Sequence, residues 1–223
     1  AGKLPVTGLL TGMSFVLILA FSIPLGIFTA RHAGGRLDRA MTAVNQVLMA
    51  IPAFVTGILL TYVFGLVLRW FVPGNYVSPG DNLGGSLWYF LFPAVSIALP
   101  RVAMTVKMLR SSILSELQKD YVRTSHSRGN SDRATLYRHV LRNAMGPVVS
   151  FLAMTAADIV AGSVVIEQVF SLPGLGRMLL TSIANRDYPV VQAVVVIVAF
   201  WVVLVNLLAD LINQRLDPRL RLT

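Results

Sequence analysis

Residues 188–209 read YPVVQAVVVIVAFWVVLVNLLA, a run without a single Asp, Glu, Lys, Arg or His. A helix needs about 20 such residues to cross roughly 30 Å of hydrocarbon. Two other uncharged runs are long enough, at residues 4–30 and 40–68. Charged residues make up about 25% of an ordinary soluble domain but only 13% of this chain, which is 55% hydrophobic. The sequence therefore predicts an all-α integral membrane protein.

Hydropathy predicts five membrane spans, at about residues 4–30, 40–68, 87–108, 144–166 and 188–209. The first apolar run is far longer than the 7–15 residues of a signal-peptide core. Of the 19 Lys and Arg residues, 14 lie in residues 31–39, residues 107–142 and the tail from Arg215. Because Lys and Arg collect in cytoplasmic loops, the C-terminus is predicted to be cytoplasmic and Ala1 external. An external start predicts one more span before Ala1, giving six in the full-length protein.

The net charge of +9 is assigned to these loops, and nucleic-acid binding is not predicted. The absence of cysteine excludes disulfides and thiolate catalysis. The three histidines are too scattered for a metal site, and no phosphate-binding loop, metalloprotease or hydrolase motif occurs. We therefore expect no catalytic, metal or cofactor site in this chain, so any ATP chemistry must reside on another protein.

Residues 110–142 are the only large predicted cytoplasmic feature, and they read as two short helices joined by a turn. An apolar stripe at helical spacing is formed by Leu114, Leu117, Tyr121 and Thr124 or Ser125. Gly129 is the predicted helix stop, because glycine adopts the left-handed conformation without a Cβ penalty. Ser131 is the predicted N-cap of the second helix.

Motifs in this loop and beyond it resemble one protein family. Residues 120–129 (DYVRTSHSRG) and 138–144 (RHVLRNA) resemble the cytoplasmic EAA loop of binding-protein-dependent ABC importer permeases, in the dipeptide and oligopeptide B-type subfamily. Residues 162–177 (GSVVIEQVFSLPGLGR) resemble the external signature of that subfamily. Residues 186–192 (RDYPVVQ) and 216–219 (LDPR) resemble its last span and tail. This chain departs from the family pattern where the loop has Arg-Thr-Ser in place of Glu-Ala-Ala, and His-Val-Leu-Arg in place of an Ile-x-Leu-Pro ending.

The resemblance implies a permease subunit in the bacterial plasma (inner) membrane that carries short peptides, nickel or another related solute. The implied partners are a homologous second permease, two cytoplasmic ATPase subunits that hold ATP and Mg, and an external substrate-binding protein. The loop at residues 110–142 would then dock on the ATPase. The predicted coupling residues are Glu116, Asp120, Tyr121, Arg123, Thr124, Ser125, Arg128, Gly129, His139 and Arg142. An amphipathic hairpin lying on anionic lipid is the alternative.

Arg101 and Asp158 interrupt two predicted spans. A charge at mid-bilayer costs about 2.5–3.5 kcal/mol even on the lenient insertion scale, so both side chains should face protein or water. They are predicted to line the translocation path, and a direct but strained pair is possible because their depths differ by roughly 9 Å at about 1.5 Å per residue. The alternatives are snorkelling of Arg101 to the inner interface and a helix-to-helix hydrogen bond for Asp158.

The last predicted site follows the fourth span on the external side. It consists of Phe170, Pro173, Gly174, Gly176 and Arg177. Proline and glycine end the helix here, and the neighbouring apolar side chains predict a turn that folds back onto the spans. Such a turn would shape a gate or contact the binding protein, or it would simply cap the helix ends.

Two other functions fit a membrane protein of this size. A self-contained secondary transporter or channel would show inverted repeats, broken helices at the midplane or several membrane acids, and the sequence shows no repeat and one deep acid. An intramembrane enzyme or a passive scaffold would leave the cytoplasmic loop unexplained.

Overall fold

The computed structural model describes residues 2–216, and all regular elements in that range are helical, which confirms the all-α fold class. Residues 217–219 of the predicted tail motif at 216–219 lie outside the described residues. The helices are α1 (Leu4–Arg31), α2 (Arg36–Ala50), α3 (Ala53–Leu60), α4 (Leu83–Leu117), α5 (Asp120–Ser127), α6 (Asp132–Thr135), α7 (Leu141–Val169), α8 (Leu175–Ala184) and α9 (Tyr188–Leu216). A π-helical stretch extends α3 over Thr61–Val67, and another joins α6 to α7 over Leu136–Val140.

Four helical stretches are long and apolar enough to cross a membrane: α1, α4, residues 132–169 and α9. The apolar run at residues 40–68 differs from the prediction, because α2 and α3 meet at an angle of 93°. Pro52 has no N–H for a helix and disfavours the helical conformation in the residue before it. Accordingly, Ile51 is extended, with φ −87° and ψ 119°. This run therefore forms two helices at an angle to each other and not one straight span.

Helix α4 is the centre of the bundle, since it packs against α1, α2, α3 and α7. Its side chains Phe90, Ile97, Leu109 and Ile113 are completely buried. Helices α1 and α4 approach closely at Gly26, where a Cβ would lie 2.7 Å from a methyl carbon of Leu109. Helix α9 packs on α7 and α8 but leaves most of its apolar surface uncovered, as expected for a helix that faces lipid.

Contacts bring residues 31–39 and 107–142 together at one end of the bundle, here called the basic end. The Arg110 guanidinium donates two hydrogen bonds to the buried Asp38 carboxylate, at 2.8 and 2.7 Å. This pair ties the start of α2 to the end of α4. A groove of about 330 Å³ lies beside them, between the end of α1 and the α5–α6 region. The turn between α7 and α8 lies at the opposite end.

Candidate functional site

The loop that follows α4 is held to the bundle by Glu116. Lys119 has extended backbone angles (φ −79°, ψ 152°), so the chain changes direction there and α5 begins. The side chains of Lys119 and Tyr121 both donate to the Glu116 carboxylate, Tyr121 at 2.8 Å. Burial is the main cause that raises the pKa of Tyr121. Because the helix breaks here, the predicted apolar stripe is not continuous: Leu117 is 36% exposed, and Val122 is buried instead.

The turn after α5 has the predicted conformation. Gly129 has φ +81°, which confirms the left-handed helix stop, and a Cβ there would meet nothing within 4 Å. The Ser131 hydroxyl accepts a hydrogen bond from the Ala134 N–H at 3.3 Å, which confirms the N-cap. The buried Ser125 hydroxyl lies 2.9 Å from that of Thr135 and accepts from the Asn130 amide at 3.1 Å. These bonds join α5 and α6 into one helix–turn–helix unit.

The ten predicted coupling residues fall into three groups. Glu116, Tyr121 and Ser125 point inward and hold the loop in shape. His139 and Arg142 are exposed on the segment that leads into α7. The exposed surface of α5 and its turn is formed by Asp120, Arg123, Thr124, Arg128 and Gly129.

Arg101 and Asp158 lie together, but their contact is not an ion pair between side chains. An Arg101 N–H donates to the main-chain oxygen of Asp158 at 3.2 Å. Gly162 leaves room for the guanidinium, since a Cβ there would lie 3.1 Å from the same nitrogen. Within residues 2–216 the Asp158 carboxylate has no ion-pair partner within 4.0 Å. Arg101 therefore bridges α4 and α7 instead of reaching toward the membrane surface.

Among residues 2–216, no other helix covers the face on which the Asp158 carboxylate lies. On α7 this face includes Met154, which is 63% exposed, and Val165, which is 48% exposed. On α4 it includes Met104, which is 41% exposed. A carboxylate in the middle of an apolar span needs water or a partner, so this face cannot simply face lipid.

The α7–α8 turn folds back onto the helices, as the sequence predicts. Phe170 and Leu172 are 1% and 0% exposed, although they lie in a connection. The chain reverses at Ser171, which has φ +54°. The Tyr89 hydroxyl donates to the Phe170 carbonyl at 2.6 Å and accepts from the Gly74 N–H at 3.1 Å. Tyr89 of α4 thus joins the turn to the connection between α3 and α4.

Sequence reasoning missed Glu167, which is fully buried beside this turn. The Thr7 hydroxyl donates to its Oε1 at 2.6 Å, and the Arg177 N–H donates to its Oε2 at 3.0 Å. Thr7 also accepts from the Leu175 N–H at 2.9 Å. The sequence signals for this role were its place in the motif at residues 162–177 and its position one residue beyond the predicted span end at 166.

Two glycines of the turn are required for space. Gly174 has extended backbone angles open to any residue, but a Cβ there would overlap the Glu167 carboxylate. A Cβ at Gly176 would lie 2.5 Å from the Cα of Val164 on α7. Arg177 is exposed, and its guanidinium donates to the Ser171 carbonyl at 3.1 Å.

Comparisons with known proteins show the family and the fold of this chain. The family described as "Binding-protein-dependent transport system inner membrane component" matches residues 22–222. The oligopeptide transport system permease protein AppB of Bacillus subtilis is 36% identical over 98% of this chain and 70% of its own length. The nickel import system permease protein NikB of Staphylococcus aureus is 33% identical over 98% of this chain and 63% of its own. An inward-facing structure of the MetNI methionine ABC transporter shares the fold, with a TM-score of 0.73, 18% identity and coverage of 96% of this chain and 94% of that one.

Proposed function

This chain belongs to the family of binding-protein-dependent transport system inner membrane components, and we propose that it conducts short peptides across the bacterial plasma membrane together with a homologous second permease. It is a permease subunit of an ABC importer and not an enzyme. Two ATPase subunits at the basic end would bind ATP and Mg, so this chain would need no cofactor of its own. The observation that carries the proposal is the exposed helix–turn–helix unit of α5 and α6.

The α5–α6 unit suits a coupling element because it is rigid and exposed at once. Hydrogen bonds between the Ser125 and Thr135 hydroxyls and from Asn130 to Ser125 hold its shape from within. The Tyr121 hydroxyl donates to Glu116 and ties the unit to α4. Asp120 and Arg123 remain exposed and available to another protein. A movement of the ATPase would then pass to α4 and α7 without being absorbed by a flexible loop.

The proposed orientation has the basic end and the C-terminus in the cytoplasm and the α7–α8 turn outside. The positive-inside rule supports this orientation. Phe170, Pro173, Gly174, Gly176 and Arg177 would then form part of an external gate next to the substrate-binding protein.

The uncovered face of α4 and α7 is the proposed wall of the translocation path, with the second permease opposite. Arg101 already bonds within the chain, whereas the Asp158 carboxylate is exposed. The Asp158 carboxylate is therefore suited to attract the terminal ammonium of a peptide. Nickel is the second candidate, because one relative of comparable identity is named for nickel import. Competition by unlabelled peptide or nickel in uptake assays separates the two.

Gly129→Asp tests the coupling surface, with Gly74→Asp as its matched control. Both glycines have nearly the same φ, +81° and +82°, and both have open space around the Cβ position. The backbone penalty, about 1–2 kcal/mol, is therefore equal, but Gly74 lies in the connection between α3 and α4. We expect both variants to insert, and only Gly129→Asp to lose substrate-stimulated ATPase activity and uptake. Normal coupling in Gly129→Asp would refute the docking surface.

A further inference from the structure

The Glu167 carboxylate is buried without a cation to balance it. Its side chain is fully enclosed at the end of α7, and in the described part of the chain no side-chain nitrogen of Lys, Arg or His lies within 4.0 Å of it. Burying a carboxyl group is unfavourable unless hydrogen-bond donors surround it. Its neighbours therefore have to supply those donors from fixed positions.

The donors come from two other helices, one of which is distant in sequence. Thr7 lies on α1, and its hydroxyl donates to one carboxylate oxygen at 2.6 Å. The Arg177 N–H, in the first turn of α8, donates to the other at 3.0 Å. The Thr7 oxygen also accepts from the Leu175 N–H at 2.9 Å. One carboxylate and one hydroxyl thus connect α1, α7 and α8.

Helix α8 depends on these bonds because it has no cap of its own. The first N–H groups of a helix lack partners within the helix and carry partial positive charge. A side chain at the N-cap usually accepts from them, but Gly174 occupies that position. Glu167 and Thr7 accept in its place, from outside the helix. With ten residues, α8 is also shorter than a helix that is stable by itself.

We propose that Glu167 and Thr7 form a clamp that makes α8 one rigid body with the adjoining ends of α1 and α7. Glu167 is thus a positioning residue for the α7–α8 turn. The turn then opens and closes only when α1 and α7 move, and not by a separate swing of α8. The transport role of this clamp rests on the proposed function, whereas its existence does not.

The test compares two isosteric substitutions on α1, Thr7→Val and Thr29→Val. Both hydroxyls are buried, but within residues 2–216 that of Thr29 bonds only to carbonyls of its own helix, at 2.9 and 3.0 Å. Ser182, which is 8% exposed on α8, is replaced by cysteine as the reporter in a chain without native cysteine. The reaction of Ser182→Cys with a water-soluble maleimide is followed in the purified transporter complex without nucleotide.

Thr7→Val removes two hydrogen bonds, the one to Glu167 and the one from the Leu175 N–H. Loss of one ordinary hydrogen bond corresponds to a factor of up to about ten, so we expect the labelling rate to rise at least about tenfold. The labelling rates of Thr29→Val and of the conservative Thr7→Ser should stay within about twofold of the rate of Ser182→Cys alone. Thr29→Val leaves Thr7 in place, and Thr7→Ser keeps a hydroxyl at position 7. General loosening of the fold would accelerate both valine variants alike. Equal rates in Thr7→Val and Thr29→Val overturn the clamp.

Glu167→Gln is the second variant, in case Thr7→Val does not assemble. It keeps the shape but replaces one accepting oxygen by an NH₂ group, so faster labelling is again expected and unchanged labelling overturns the clamp. Uptake measured on the same variants separates the two claims. Faster labelling with normal uptake supports the clamp and refutes the gate assigned to the turn.

Discussion

Replacing Gly174 by alanine would place a methyl group where the Glu167 carboxylate lies. Glu167 is completely enclosed, so its side chain cannot swing into water to make room. Either the carboxylate or the start of α8 must move. In both cases the hydrogen bonds from Thr7 and the Arg177 N–H are lost or stretched.

The cost follows from those two bonds. A hydrogen bond to a charged group contributes about 1.5–3 kcal/mol, so the loss of both amounts to about 3–6 kcal/mol. For a chain of 150–250 residues, 1 kcal/mol shifts the melting temperature by about 2–4 °C. We therefore expect Gly174→Ala to lower the melting temperature of the purified complex by at least about 6 °C.

The assay heats the purified complex and measures the fraction that still elutes as an intact assembly. Gly84→Ala is the matched control, because Gly84 is an exposed glycine in the first turn of α4 whose Cβ would make only an ordinary contact at 3.7 Å. Alanine there should be neutral or slightly stabilising. If Gly174→Ala has the same melting temperature as the control, the buried Glu167 cluster is not required for stability and the reasoning fails.

At temperatures where Gly174→Ala remains folded, we expect peptide uptake to fall further than assembly with the partner subunits, whereas equal losses would assign the turn to folding alone. Cysteine at position 80 should react with an impermeant maleimide in intact cells, and cysteine at position 130 only after permeabilisation; labelling of both from one side would contradict the predicted orientation. Asp158→Asn should weaken uptake of a peptide with a free amino terminus at least about fivefold while leaving ATPase assembly intact, because a charge-assisted hydrogen bond is about twice as strong as a neutral one. An equal effect on an N-acetylated peptide would exclude the proposed contact with the ammonium group.

Local features of the fold could be predicted from the sequence because they depend on neighbouring residues. Gly129 and Ser131 are examples, since a left-handed stop and an N-cap need only a short segment. Pro52 is a local signal for the bend after Ile51, but hydropathy alone predicts one span for the whole run at residues 40–68. The break at Lys119 interrupted an apolar stripe that looks continuous in the sequence.

The remaining features depend on contacts between distant residues. Thr7 and Glu167 are 160 positions apart, and no pattern within either segment indicates the other. The sequence predicts Arg101 as a charge within a span, but its bond to the main chain of Asp158 depends on how α4 and α7 pack. The same packing leaves the Asp158 carboxylate without an ion-pair partner among the described residues.

Transport by the purified complex in liposomes tests the central claim most directly. The complex would contain this chain, its partner permease and the ATPase subunits, with labelled peptide and binding protein outside. We predict uptake that requires ATP and Mg on the side of the basic end and persists when ion gradients are abolished. Uptake that continues without nucleotide and follows an ion gradient would contradict the assignment and indicate a secondary transporter.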